Sequence, residues 1–224
     1  MPDTNVGPIV EDLPSDPELL DEAGARQLVE GTYPKPSPGV IAKDIGRIDK
    51  HMRRFIEMSP FCCLATSSQD GHLDVTPRGD KPGFVKVLGE KTLALPDRPG
   101  NNRLDSLRNV LNNPRVGMLF LIPGFEETVR VNGTARLSVD PRLLAAMVAE
   151  GKNPRSALVI NVEEAFLHCA KAFRRSRLWD PTAQVDRSVL PSLSAMIGDQ
   201  LKLPPDGTRE REQRLEEAYR KTMW

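Results

Sequence analysis

The sequence predicts a mainly β protein, a closed or partly closed barrel accompanied by helices, and three observations carry that prediction. Between residues 61 and 169, short extended runs follow one another at close spacing with few helical patterns between them. The pair Asp70-Gly71 stands between two of these runs, where a tight hairpin needs residues tolerant of positive φ. Hydrophobic residues make up 39% of the chain but aromatic ones only 5%, so the core between the strands has to be aliphatic.

The elements follow in order. Residues 1–14 are polar and read as a loose arm. Ser15 or Asp16 is placed to cap a helix, Pro17 suits its first turn and Gly31 its end. The run from Tyr33 to Gly39 holds three prolines and reads as an extended linker. From Asp44, the residues Ile45, Ile48, Met52, Phe55 and Ile56 share one helical face, up to Ser59-Pro60. Strands are expected at 61–67 and 73–77, then at 84–88 and 92–95 around Gly89-Glu90-Lys91. The Gly-x-Lys-Thr of that turn lacks the upstream glycine and the residue order of a phosphate loop. A helix over about 102–112 ends before Pro114, and strands follow at 116–122 and 128–137. Asp140 caps and Pro141 starts a helix through Glu150, with Gly151 beyond its end. A last strand covers 157–169, interrupted at Glu163-Glu164. Residues 209–224 form a charged helix with opposite charges at i,i+4 spacing. These readings divide the chain into an N-terminal arm with one helix and a linker (1–43), a barrel (44–180) and a C-terminal helical extension (181–224).

Composition narrows the function. Thirty-one basic and 31 acidic residues cancel, which argues against a nucleic-acid binder. Cys62, Cys63 and Cys169 offer no zinc-ligand spacing and read as reduced thiols. No secretory signal and no apolar run of spanning length is visible, so a soluble cytoplasmic protein is expected, with no membrane partner. No nucleophile elbow, dinucleotide fingerprint or metalloprotease motif occurs. The histidines His51, His72 and His168 are scattered; His168, near Lys171 and Arg175, is the one best placed for chemistry.

What recurs is arginine at or within strand-like runs: Arg78, then Arg98 and Arg103, then Arg130. The stretch Leu93–Arg103 passes from an apolar run through a turn-rich segment into a helix. That arrangement aims unpaired helix N–H groups and guanidinium forks at an anion. In a barrel these ends can converge on a phosphorylated ligand. Trp179 suits either a planar ring or an anchor covering the barrel.

Three motifs give residues 61–140, and less clearly the chain up to Trp179, a resemblance to the FMN-binding split barrel of the pyridoxamine 5′-phosphate oxidase-like superfamily. They are Asp74–Asp80, Leu95–Arg103 with its helix and Asn113-Pro114, and Glu127–Gly133. The resemblance implies a homodimer with two FMN sites at the subunit interface, each built from both chains. Arg78 and Arg103 would bind the phosphate. Thr76, Pro77, Leu95 and Pro96 would line the ring and ribityl chain through backbone groups. Thr128 takes the place of a family glutamine, and Trp179 would stack near the ring from the other subunit. Gly79, Asn102 and Arg130 fall within the same motifs and join the cofactor-binding set. Asp80 stands where the family has lysine. The pyridoxal-phosphate pocket of true pyridoxamine phosphate oxidases cannot be placed on this chain, so pyridoxamine phosphate is a poor substrate guess.

The implied function is flavin-dependent oxidoreduction between a reduced donor such as NAD(P)H and oxygen or a small acceptor, with no catalytic side chain and no metal. Two rivals stay open. One is a carrier or sensor of FMN, deazaflavin or haem without turnover, with His168 as the axial ligand to test for haem. The other is an interaction module that uses its terminal helices.

Overall fold

A computed structural model describes residues 17–223, which fall into two compact units that divide between Lys43 and Asp44. The first unit contains α1 (Glu22–Thr32) and α2 (Pro38–Ala42). The Asp21 carboxylate caps α1 by accepting from the Gly24 N–H at 2.7 Å. The caps expected at Ser15 and Asp16 lie outside the described residues, and Pro17 precedes the helix rather than starting it. The proline run is not extended throughout. Pro38 occupies the first turn of α2, where its missing N–H costs nothing.

In the second unit, α3 (Lys50–Met58) begins later than the apolar spacing suggests, because Asp49 accepts from the N–H groups of His51 and Met52 and fixes the start there. Ile48, just before the helix, is still buried in the core. Seven strands follow in chain order with their helices: β1 (Phe61–Ser67), β2 (Leu73–Gly79), β3 (Lys86–Gly89), β4 (Thr92–Pro96), α4 (Asp105–Asn112), β5 (Arg115–Leu121), β6 (Thr128–Ser138), α5 (Pro141–Ala145), β7 (Ala157–His168), α6 (Lys171–Ser176), α7 (Leu193–Gln200) and α8 (Thr208–Thr222).

All the strand pairs are antiparallel, in the order β2-β1-β5-β6-β7-β4-β3. The sheet does not close, and β2 and β3 are its edges, so the mainly β split barrel takes the place of a closed one. One core of aliphatic side chains lies against it, with Leu64, Leu93, Val129, Val131 and Ile160 fully buried and Phe120 the largest member.

β7 is continuous where an interruption was expected. Asn132 pairs with Glu164 and Gly133 with Val162, so Glu163 is an extra residue, a bulge that bends the strand without ending it. Gly133 is required there, since a Cβ at this position would lie 2.0 Å from the Asn161 carbonyl oxygen. The helix expected over 141–150 stops at Ala145. Met147 lies in the turn that ends the helix, and Glu150 and Gly151, both with positive φ, form a separate turn closed by a bridge between Ala149 and Lys152.

Candidate functional site

Beside the open edge of the sheet lies a cavity of about 1000 Å³. Its walls are β2, the segment from Pro96 to Leu104, the first turn of α4 and the turn at 149–155, with Thr222 of α8 at its border. The sheet places these parts. β2 is an edge strand held on one side by β1. β4 delivers the 96–104 segment, anchored where the Asp97 N–H donates to the Ser156 carbonyl at 2.9 Å.

Arg78, near the end of β2, is the centre of the polar groups. Its Nη2 donates to Ser106 Oγ at 3.1 Å, and Ser106 in turn donates to Asp74 Oδ2 at 2.9 Å. Its Nη1 lies 3.8 Å from Asp97 Oδ1, and both side chains are about four-fifths buried. Its Nε is buried and makes no hydrogen bond. A buried, unsatisfied N–H of this kind is costly, and on a residue that lines a polar cavity it is a reason to look for a ligand. Burial pushes the Asp97 carboxyl above its ordinary value, against the opposing pull of Arg78 and Arg155.

The entry to α4 supplies the second feature of the site. Asn102 and Leu104 are left-handed, with φ of 57° and 60°, a conformation uncommon for non-glycine residues and costly for leucine. Leu104 also stands at the N-cap position with no side chain that can accept a hydrogen bond. The first turn of α4 therefore faces the cavity without a side-chain cap, and its dipole favours an anion there.

The arginines in this region have different tasks. Arg98 is a structural clamp: its Nε meets Asp80 Oδ2 at 2.7 Å and its Nη2 donates to the Met147 carbonyl at 2.7 Å. Asp80 is only 2% exposed, so the aspartate standing at the family's lysine position is the buried half of that clamp. The neighbouring Lys81 pairs with Glu150 and ties β2 to the far turn. Arg103 borders the cavity but is 73% exposed, and its Nε is paired with Asp105 at 2.7 Å. That carboxylate raises its pKa further.

The structure thus brings Thr76, Pro77, Arg78, Gly79, Pro96, Asn102 and Arg103 to one cavity. It does not bring the other four predicted residues there. Leu95 is buried in the core, paired with Leu158 of β7. Thr128 is buried at the start of β6. Arg130 lies over the Phe166 ring at 5.6 Å. Trp179 stacks on Phe173 at 5.8 Å and donates its indole N–H to the Phe125 carbonyl. None of the three histidines lines the cavity, and no cluster of three or more metal-ligating side chains occurs among the described residues. Sequence reasoning missed Asp74, Asp97, Ser106 and Arg155. Asp97 reads as turn chemistry within Pro-Asp-Arg-Pro, and nothing local announces that Ser106 meets Arg78 from 28 residues away.

A family model described as pyridoxamine 5′-phosphate oxidase matches residues 48–169, more than half of the chain, including all seven strands and the whole segment from Pro96 through α4. The chain belongs to the pyridoxamine 5′-phosphate oxidase-like family. No curated protein matches it. Among solved structures it is similar to HupZ of Group A Streptococcus, at 18% identity and a TM-score of 0.44, over 54% of this chain and 93% of that one. It is also similar to HutZ, a heme storage protein from Vibrio cholerae, at 16% identity and 0.39, over 55% and 94%. General Stress Protein 26 from Bacillus anthracis matches at 16% and 0.39, over 52% and 93%. Likenesses this remote say nothing about activity. No helix among the described residues is long and apolar enough to cross a membrane.

Proposed function

We propose that this member of the family is an FMN-dependent oxidoreductase whose cavity beside β2 seats the phosphate end of the cofactor. The observation that carries the reading is Arg78, a largely buried guanidinium with an unsatisfied Nε, facing the same cavity as the uncapped first turn of α4. A buried N–H without a partner, beside a helix terminus with positive partial charge, suits a phosphate. The residues present therefore fit the group. Arg78 and the α4 terminus would hold the phosphate, Arg103 would screen it from the rim, and Thr76, Pro77 and Pro96 would border the rest of the ligand.

When bound, the flavin supplies hydride and electron transfer between a reduced donor, NAD(P)H being one, and oxygen or a small acceptor. The protein's part is to bind, orient and exclude water. Thr128, Arg130 and Trp179 lie outside the cavity of their own chain, and in this reading Trp179 reaches the flavin of a second copy in a homodimer. A carrier or sensor without turnover is the rival, and haem is its weaker form because none of the three histidines borders the cavity.

The test is a spectrum of the purified protein and a titration with FMN followed by quenching of flavin fluorescence. Saturable quenching that Arg78→Ala weakens supports the reading. A colourless protein that quenches nothing overturns it, and a Soret band lost on His168→Ala replaces it with haem. NAD(P)H oxidation by the loaded protein separates the enzyme from the carrier.

A further inference from the structure

The guanidinium that faces the cavity is not free to give its whole charge to a ligand. Arg78 Nη1 lies 3.8 Å from the carboxylate of Asp97, and its Nη2 bonds Ser106, which is itself anchored on Asp74. The other arginines from β2 to α4 are matched as well, Arg98 by Asp80 and Arg103 by Asp105. An incoming phosphate therefore meets three cavity-lining arginines that already have carboxylate partners, beside Lys152 and Arg155 on the same lining. These partners differ in kind. Asp80 holds a clamp and Asp105 sits on the exposed rim. Asp97 lines the cavity beside Arg78, whose Nε makes no hydrogen bond.

From this geometry we infer that Asp97 sets how tightly the cavity binds a phosphate, by standing as a built-in anionic competitor for Arg78. Like charges repel over several ångströms in a partly buried site, where water screens them poorly. The Asp97 carboxylate therefore opposes a phosphate dianion at Arg78, while it leaves an uncharged ligand of the same shape unaffected. Its position is secured independently of its charge, since the backbone N–H of Asp97 is held by the Ser156 carbonyl. Removing the charge thus leaves the segment in place and releases Arg78 toward the ligand. Burial of the carboxyl raises its pKa while the neighbouring Arg78 and Arg155 guanidiniums pull it down.

The inference rests on the phosphate-binding reading of the cavity, and its experiment separates the two. Asp97→Asn keeps the shape and removes the charge; Asp97→Glu keeps the charge. FMN and riboflavin, which lacks the phosphate, are titrated against both variants and the native protein at pH 7.5 by fluorescence quenching, and inorganic phosphate is titrated by thermal shift. The expected result is that Asp97→Asn binds FMN about tenfold more tightly, with riboflavin unchanged and Asp97→Glu close to native. Equal or weaker FMN binding by a folded Asp97→Asn, or parallel changes for FMN and riboflavin, overturns the inference. Should none of the proteins bind flavin, the flavin reading fails alone. Tighter inorganic phosphate binding by Asp97→Asn then still supports the role of Asp97, and no phosphate binding by either protein overturns it. If Asp97→Asn does not fold, Asp97→Ser takes its place with the same expectations.

Discussion

β1 and β2 are neighbours in one ladder, yet they do opposite work. Cys62 pairs with Arg78, Leu64 with Thr76 and Thr66 with Asp74. On β1 these three are buried in the core; on β2 their partners are half-buried polar groups beside the cavity, and β2 buries no residue fully. The difference comes from position. β1 is covered by a strand on each side, whereas β2 is an edge with the cavity beyond it. Burial pushes the Cys62 thiol up to about 12 even with the Arg78 guanidinium nearby, so one rung joins an inert thiol to a cation that lines the cavity. The buried core lies at the sheet centre, and the proposed binding cavity lies one strand further out.

That division can be broken most forcefully from the core side. Phe120, with no exposed surface, is opposite Cys62 on β5. Phe120→Ala is expected to cost about 3–5 kcal/mol, read from denaturant unfolding. FMN affinity of the fraction that stays folded should remain close to native. A comparable loss of affinity in the folded protein would show that the two regions are not separate.

Arg98→Ala sharpens the comparison, because it lies among the site residues but should behave like the core. It strands the carboxylate of Asp80, 2% exposed, without its cation. The expected cost is about 3 kcal/mol of stability, with Asp80→Asn/Arg98→Ala recovering part of it. Unchanged unfolding with weakened FMN binding would make Arg98 a ligand residue after all.

Arg78→Ala is the converse case. It should lower FMN affinity by about 1.5–3 kcal/mol and leave riboflavin affinity nearly unchanged. Arg103→Ala, at an exposed residue already paired with Asp105, should lower FMN affinity by less than about 1 kcal/mol. A larger loss for Arg103 than for Arg78 would move the centre of the site to the rim.

The sheet was legible in the sequence for the same reason that it is stable: alternation, hairpin turns and aliphatic runs are local signals of burial. The runs at 61–67 and 128–137 show this, and they match β1 and β6 to within a residue. Helix starts were less legible where a capping aspartate outweighed apolar spacing, as Asp49 does before α3. The bulge at Glu163 had no visible sign except its two charged residues, because register is settled by a partner strand 30 residues away. The site was legible only in part. Arg78 and the 96–103 segment stood out by residue type, but the clamp at Arg98 depends on Asp80, 18 residues earlier, which only the fold brings to it, whereas the partner of Arg103, Asp105, is two residues on.

The smallest effect concerns what the site costs the fold. The raised pKa of Asp97 means that the native protein holds this proton more tightly than the unfolded chain does. Stability from this group is therefore present at pH values below the ordinary carboxylate value and is lost as pH rises through the raised one. Asp97→Asn has no such dependence. Its unfolding midpoint should lie slightly above the native protein's at neutral pH, and the gap should close as pH falls into the carboxylate range. If the gap instead widens toward acid, the attraction of Arg78 and Arg155 outweighs burial, and Asp97 is a stabilising partner of Arg78 that the fold gains from.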